Sequence, residues 1–237
     1  MITLQTYCLE PFIAANAKAR PFSTEWLRKE ICKKVKDKLK ILIANGADPS
    51  LFYNHVPETE NNRIGYPLII YHYFNGIFYI TGIDNGAYSL DIFAKLYEEP
   101  FSMDSILFQI FKGKNFGCEF DLCSTAEPRL YALIGWLPVH HKSAKAFSQK
   151  DMAAKVDELN SKLGKHITGE LGKYLGVGFE NLFTAITDIT KVYPDPVIYK
   201  RYEYPAFDIR FTANVSLPPM ITLGNNKALG FGRVEPN

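Results

Sequence analysis

The sequence predicts an α+β protein of two related units in tandem, closed by a glycine-rich loop. Three observations support this. Strand and helix patterns alternate through the first 99 residues, Asn75-Gly76 joins two β-rich runs, and the second half repeats the mixture of helical and alternating stretches. A hydrophobic share of 47% suffices to bury cores in 237 residues, a length that fits two domains. No window approaches the roughly 18 consecutive apolar residues of a membrane span, so no membrane partner is expected.

The opening "MITLQTYCL" places Ile2, Leu4 and Thr6 on one face and Thr3, Gln5 and Tyr7 on the other, the period of a half-buried strand. "FSTEWLRKEICKKVKDKLKILIANG" reads as one helix. Ser23 or Thr24 caps its start, Trp26, Leu27, Ile31, Val35, Leu39 and Leu42 recur at helical spacing, and Gly46 ends it. "LFYNHVPETENN" reads as a strand running into a polar loop. "YPLIIYHYFNGIFYITGI" reads as a hairpin turning at Asn75-Gly76, the strongest short-range hairpin signal. "GAYSLDIFAKLYEE" sets Leu90, Phe93, Ala94 and either Leu96 or Tyr97 on one helical face. This is most of a ferredoxin-like βαββαβ unit, with "SMDSILFQIFKG" available as its last strand.

In the second half "EPRLYALIGWLPV" reads as a strand and "SAKAFSQKDMAAKVDELNSKLGKHITGELGKYLG" as one or two helices. "NLFTAITDITKVYPDPVIYKRYEYPAFDIRFTANVSLPP" alternates enough to hold two strands. The expected division is residues 1–100 and 101–237.

The net charge of +2 carries no message, but its distribution does. Lys18, Arg20, Arg28, Lys29, Lys33, Lys34, Lys36, Lys38 and Lys40 face only Glu25, Glu30 and Asp37 between residues 18 and 40. Such a face is either a solvated helix surface, the commoner case, or a phosphate-attracting one. Four cysteines are too few for a disulfide framework, and free, mostly buried thiols are expected. Cys118 and Cys123 lack the two further ligands of a structural zinc, and neither a metal nor a cofactor is expected. The N-terminal stretch has no basic segment and apolar run of a secretory signal, so a cytoplasmic protein is expected.

Histidine is the usual acid or base at neutral pH. Of the five, His72 lies among strand aromatics and reads as structural. His140 and His141 stand in the polar "HHKSAK", where a surface role near RNA and no role weigh equally, and His166 reads as solvated. His55 ends the strand-like "LFYNH", with Tyr53 two residues back on the same side and Arg63 in the loop that follows. The closing "LGNNKALGFGRVEPN" has glycines at 224, 230 and 232 with Lys227 and Arg233. On composition it is either a tail with turn glycines, the commoner reading, or a phosphate cradle. It lacks the Gly-Lys-Ser/Thr of a nucleotide-binding P-loop.

Taken in order, "LFYNH", "IGYPLIIYHYFNGIFYITGIDNGAYSL" and "LGNNKALGFG" resemble the CRISPR-associated repeat-RNA-processing endoribonucleases of the repeat-associated mysterious protein superfamily. That family shows a His-Asn-His strand end, a Tyr-Pro-Leu-Ile hairpin leading to Gly-Ile and a Gly-Ala helix start, and a glycine-rich loop ending Gly-Phe-Gly. The three phrases span nearly the whole chain, while residues 100–218 match only by element pattern. The resemblance implies two tandem ferredoxin-like, RNA-recognition-like domains. It also implies metal-independent cleavage of CRISPR repeat RNA to a 2′,3′-cyclic phosphate and a 5′-hydroxyl.

In that chemistry a base takes the proton of the 2′-hydroxyl, the alkoxide attacks the phosphate in line, and an acid protonates the leaving 5′-oxygen. The resemblance assigns His55 as general base or acid. Tyr53 stands where the family has its first histidine. A phenol with a pKa near 10 donates well and accepts poorly at neutral pH, so Tyr53 is expected to contact the leaving group or phosphate. The cation is Lys36, Lys38 or Lys40, with Lys40 carried as the catalytic candidate, or Arg63. Gly224, Asn225, Asn226, Lys227, Gly230, Gly232 and Arg233, with Lys33, Lys36 and Arg63, are expected to hold RNA backbone. The loop is then an ordered clamp, and specificity falls to "HHKSAK" and "YKRYEYP".

Partners implied are CRISPR repeat RNA, with further effector-complex subunits and a homodimer left open. Two other classes compete: a catalytically silent RNA-binding subunit, suggested by the Tyr53 departure, and a small-molecule enzyme on the same scaffold, which predicts an apolar pocket and no salt-dependent RNA affinity.

Overall fold

The computed structural model describes residues 1–12, 23–53, 66–103, 106–179, 181–199 and 201–236. The chain divides into two units, Met1–Phe120 with Ala228–Gly230, and Asp121–Lys227 with Phe231–Asn237. Both are ferredoxin-like. No helix among the described residues is long and apolar enough to cross a membrane.

The first unit runs β1 (Ile2–Phe12), α1 (Thr24–Asp37), α2 (Leu39–Ala44), α3 (Ser50–Tyr53), β2 (Ile69–Phe74), β3 (Ile77–Ile83), α4 (Asn85–Leu96), β4 (Phe101–Met103) and β5 (Ile106–Phe120). Its sheet has the order β2-β3-β1-β5-β4, antiparallel throughout. Without the short edge strand β4, this is the ferredoxin order, with β5 returning beside β1 as the fourth strand. The division therefore falls after Phe120 and not after residue 100, because the last strand of a βαββαβ unit must come back to pair with the first. Asn75 and Gly76 both take positive φ, 53° and 77°, the backbone that a tight hairpin with right-twisted strands requires.

Two elements depart from the expected pattern. The basic helix is broken at Lys38, which caps both α1 and α2, so Leu39 leaves the buried stripe and is 39% exposed. Ser23 does cap its start, accepting from the amide of Trp26 at 3.2 Å. Ser50–Tyr53 is a helical turn and not a strand, since the Asp48 carboxylate accepts from both the amide and the hydroxyl of Ser50. Leu51 and Phe52 are both buried, which a half-buried strand would not allow for neighbours. Leu27, Ile31 and Val35 of α1 and Leu90 and Phe93 of α4 pack with Phe52, Phe78 and Phe108 in one core.

The second unit runs β6 (Ser124–Trp136), α5 (His141–Ser148), α6 (Met152–Lys165), a π-helical stretch (His166–Gly172), α7 (Lys173–Leu175), β7 (Thr184–Val192), β8 (Val197–Tyr199), β9 (Tyr202–Tyr204), β10 (Phe207–Val215) and β11 (Arg233–Pro236). Its sheet order, β11-β6-β10-β7, is again that of a ferredoxin-like fold. The difference lies between β10 and β11. There the second helix of the fold is replaced by the loop 216–232, with one 3-10 turn at Lys227–Leu229.

Two expectations about side chains are corrected here. His166 is buried, at 7% exposure, because its turn faces Trp136. The free cysteines are not mostly buried: Cys8, Cys32 and Cys123 are half-buried and Cys118 is exposed.

Candidate RNA-processing site

On the first unit, α1 and α3 build a groove of about 410 Å³ lined by Trp26, Arg28, Cys32, Lys33, Lys36 and Tyr53. Positions 29, 33 and 36 lie on one helical face, and Arg28 and Cys32 follow a neighbouring row. α3 closes against this face because Cys32 Sγ donates to the Phe52 carbonyl at 3.4 Å and the Tyr53 hydroxyl donates to the Cys32 carbonyl at 3.0 Å. Tyr53, Lys33 and Lys36 are thus brought together. Lys33 also pairs with Glu30 one turn back.

Lys40 does not line this groove. A continuous helix would set it one turn beyond Lys36, but the break at Lys38 moves it onto α2, where it is exposed. His55 and Arg63 lie outside the described residues.

Burial, with smaller contributions from Cys32 and Asp37, raises the Tyr53 phenol above its ordinary pKa. It therefore keeps its proton at neutral pH and serves as a donor. The Cys32 thiol is pushed up to about 11, chiefly by burial, which keeps it neutral and unreactive. Arg28 and Trp26 were missed as site candidates. Their signal is the i, i+4 step from Arg28 to Cys32, and a tryptophan on the turn that opens the helix.

On the second unit, the glycine-rich loop is tied to the end of β6. Asn225 donates to the Leu137 carbonyl from its amide at 3.0 Å and its side chain at 2.8 Å. Gly232 donates to Gly135, and Leu223 to Gly232. Gly224, Asn226, Gly230 and Gly232 all have positive φ. A Cβ on Gly232 would stand 1.9 Å from the Leu223 carbonyl oxygen, so only glycine fits there. These hydrogen bonds fix the loop against the end of β6.

Its cations are used internally. The Lys227 ammonium donates to the Gly224 carbonyl at 3.0 Å, and Arg233, in β11, pairs with Glu235. Residues Ala228–Gly230 cluster with the first unit, where Gly230 lies against Tyr71 and the buried His72 of β2.

Behind the loop, Trp136 Nε1 donates to His166 Nδ1 at 3.3 Å. Burial, then the charges of Lys227 and Lys162, lower His166 to about 3. It stays a neutral acceptor.

Residues 123–237 match the model of the Cas6b C-terminal domain. Over the whole chain the fold is that of a crystal structure of Cas6b, with TM-score 0.74, 19% identity and 100% of each chain covered. A crystal structure of a CRISPR RNA processing endoribonuclease Cas6b matches with TM-score 0.64, 19% identity and 100% of each chain. The resemblance is borne out. A third solved structure, Csf5, a CRISPR-Cas type IV Cas6 crRNA endonuclease, matches with TM-score 0.53 and 12% identity over 98% of this chain and 99% of that one. No curated protein matches by sequence. The Cas6b domain match contains the whole glycine-rich loop and the strands that hold it.

Proposed function

We propose that this protein is an endoribonuclease that cuts CRISPR repeat RNA into guide RNAs without a metal. His55 takes the proton of the 2′-hydroxyl next to the scissile phosphate. The alkoxide attacks phosphorus in line, the bond to the 5′-oxygen breaks, and that oxygen receives a proton. The products are a 2′,3′-cyclic phosphate and a 5′-hydroxyl.

Tyr53 donates to the phosphate or to the leaving oxygen, a role suited to a phenol whose pKa is raised. Lys36 supplies positive charge beside it, because it shares the groove with Tyr53 and Lys40 does not. Gly224, Asn225, Asn226, Lys227, Gly230, Gly232 and Arg233 hold RNA backbone, Lys227 and Arg233 exchanging the Gly224 carbonyl and Glu235 for phosphate, with Lys33 and Arg63 adding phosphate contacts. The observation that carries this reading is the match of residues 123–237 to the Cas6b C-terminal domain, within a chain that has the Cas6b fold throughout.

One observation favours a second reading, a silent RNA-binding subunit of an effector complex. The Tyr53 hydroxyl already donates to the Cys32 carbonyl, and it must leave that partner to act on RNA. Labelled repeat RNA incubated with the protein in EDTA separates the two. Cleavage to the cyclic phosphate, lost in His55→Ala, is expected; tight binding without any cut establishes the silent subunit. Cleavage that survives in His55→Ala removes that residue from the mechanism.

A further inference from the structure

Two stretches about 60 residues apart in sequence meet on the second unit, beside the glycine-rich loop, whose Asn226 side chain reaches Tyr204. His141, which opens α5, stacks on Tyr202 of β9 with ring centroids 3.9 Å apart and planes 20° apart. His140 extends the ladder at 4.0 Å from His141 with its ring tilted by 40°, and the Tyr204 hydroxyl lies 3.2 Å from His141 Nδ1. The Arg201 guanidinium stands 5.7 Å from the centre of the Tyr202 ring.

His141 and Tyr202 form one wall of a groove of about 970 Å³ between α5, α6 and the β8–β9 hairpin, floored by Phe147, Leu159 and Phe207. Lys145, Lys155 and Arg201 border it, against the single carboxylate of Glu203. Tyr202 is 39% exposed although it is an aromatic side chain, so its ring is accessible to a ligand.

We propose that this groove is a second RNA subsite, taking unpaired nucleotides with a base stacked on the His140–His141–Tyr202 ladder and the neighbouring phosphates on Lys145, Lys155 and Arg201. It rests on the reading of the protein as an RNA-binding enzyme. A nucleotide uses both features of the groove, since its base is planar and apolar on its faces while its phosphate is anionic. An acidic amphipathic peptide would satisfy the cations and the floor but leave the ring ladder without a planar partner. A small uncharged apolar molecule would leave the three cations unanswered.

The experiment is fluorescence anisotropy of the full chain with a labelled, unstructured RNA oligonucleotide at several salt concentrations, combined with crosslinking of a 4-thiouridine version. Crosslinks are expected within 140–147 and 201–204. Tyr202→Ala is expected to weaken binding about tenfold and Tyr202→Phe to restore it, which a merely structural tyrosine hydroxyl would not allow. Arg201→Ala is expected to make the slope of log affinity against log salt shallower by about 0.7.

Unchanged affinity in Tyr202→Ala, or crosslinks elsewhere only, overturns the subsite. Protection of the groove by an acidic peptide and not by RNA overturns it in favour of a protein partner. Cleavage of repeat RNA by the same wild-type protein is scored separately. A protein that cuts the repeat but is indifferent to Tyr202→Ala sinks the subsite alone, whereas one that binds through Tyr202 and never cuts sinks the nuclease reading alone.

Discussion

The two units share one strand order and differ at one element. In the first, α4 packs on its sheet so closely that a Cβ on Gly86 would lie 1.9 Å from the Leu68 carbonyl oxygen. In the second, the same position between the third and fourth strands of the fold is taken by a loop, and a Cβ on Gly232 would lie equally close to the Leu223 carbonyl oxygen. Both units thus bring backbone against backbone at that point. A helix satisfies its own amides and carbonyls, while a loop must borrow partners, here Gly135 and Leu137 at the end of β6. The loop is therefore held by partners at the end of β6, at the place where a second helix would have satisfied itself.

The proposed division of labour follows this difference: the first unit carries the proton chemistry with a few phosphate contacts, and the second carries most of the grip. The largest expected effect is on the chemical step. His55→Ala should slow single-turnover cleavage of repeat RNA by about 10²- to 10⁴-fold while leaving the dissociation constant within a factor of about two, as measured with saturating protein in EDTA. A parallel loss of affinity would break the comparison, because His55 would then serve binding as well as proton transfer.

Next comes the loop backbone. Gly232→Ala should cost about 2 kcal/mol or more of stability by urea unfolding, from the collision with Leu223 combined with a positive φ. Gly76→Ala, at a hairpin tip where nothing lies within 4 Å, should cost only about 1 kcal/mol through its φ alone. Equal costs would mean that the loop yields and is not fixed by β6.

A third effect is absent at neutral pH and grows only as the pH falls. His166 is about 3 in the folded protein against an ordinary 6.5, so the unfolded chain binds the extra proton between those values. Its contribution is neutral above pH 6.5 and destabilises progressively as pH falls towards 3, with a limiting slope of about 1.4 kcal/mol per pH unit. His166→Gln, which keeps an acceptor for Trp136, should flatten that slope in pH-dependent unfolding. The smallest effect is that of Lys36→Ala on binding, a salt slope shallower by about one with little change in sequence preference.

Much of this was legible in the sequence, and the failures have physical causes. The hairpin was readable because Asn75-Gly76 is one of few pairs that take positive φ at both positions cheaply. The start of α1 was readable because Ser23 is a local cap. The break at Lys38 was not, since apolar spacing continues past it and no Gly or Pro marks it. Ser50–Tyr53 looked like a strand because aromatic neighbours suit sheets, yet the Asp48 carboxylate fixes a turn there.

Of the candidate site, Tyr53 and Lys36 were found as separate candidates, but the groove that joins them depends on two hydrogen bonds between segments about 20 residues apart. His166 was misread because a 3.6-residue pattern reports a helix face, not the tryptophan that covers it. The ring ladder was foreshadowed only as two polar stretches, "HHKSAK" and "YKRYEYP". Nothing local says that they stack.

The return of Ala228–Gly230 to the first unit has a consequence for biosynthesis. A ribosome finishes Phe120 and then makes more than a hundred further residues before it reaches the three that complete this unit. Domains generally fold as the chain emerges, N-terminal part first, so the first unit must wait in a nearly finished state for most of the translation time of the second. A truncated product ending before residue 228 would carry the proposed catalytic groove yet lack that last piece. Synthesis order itself thus withholds a complete first unit until nearly the whole chain has been made.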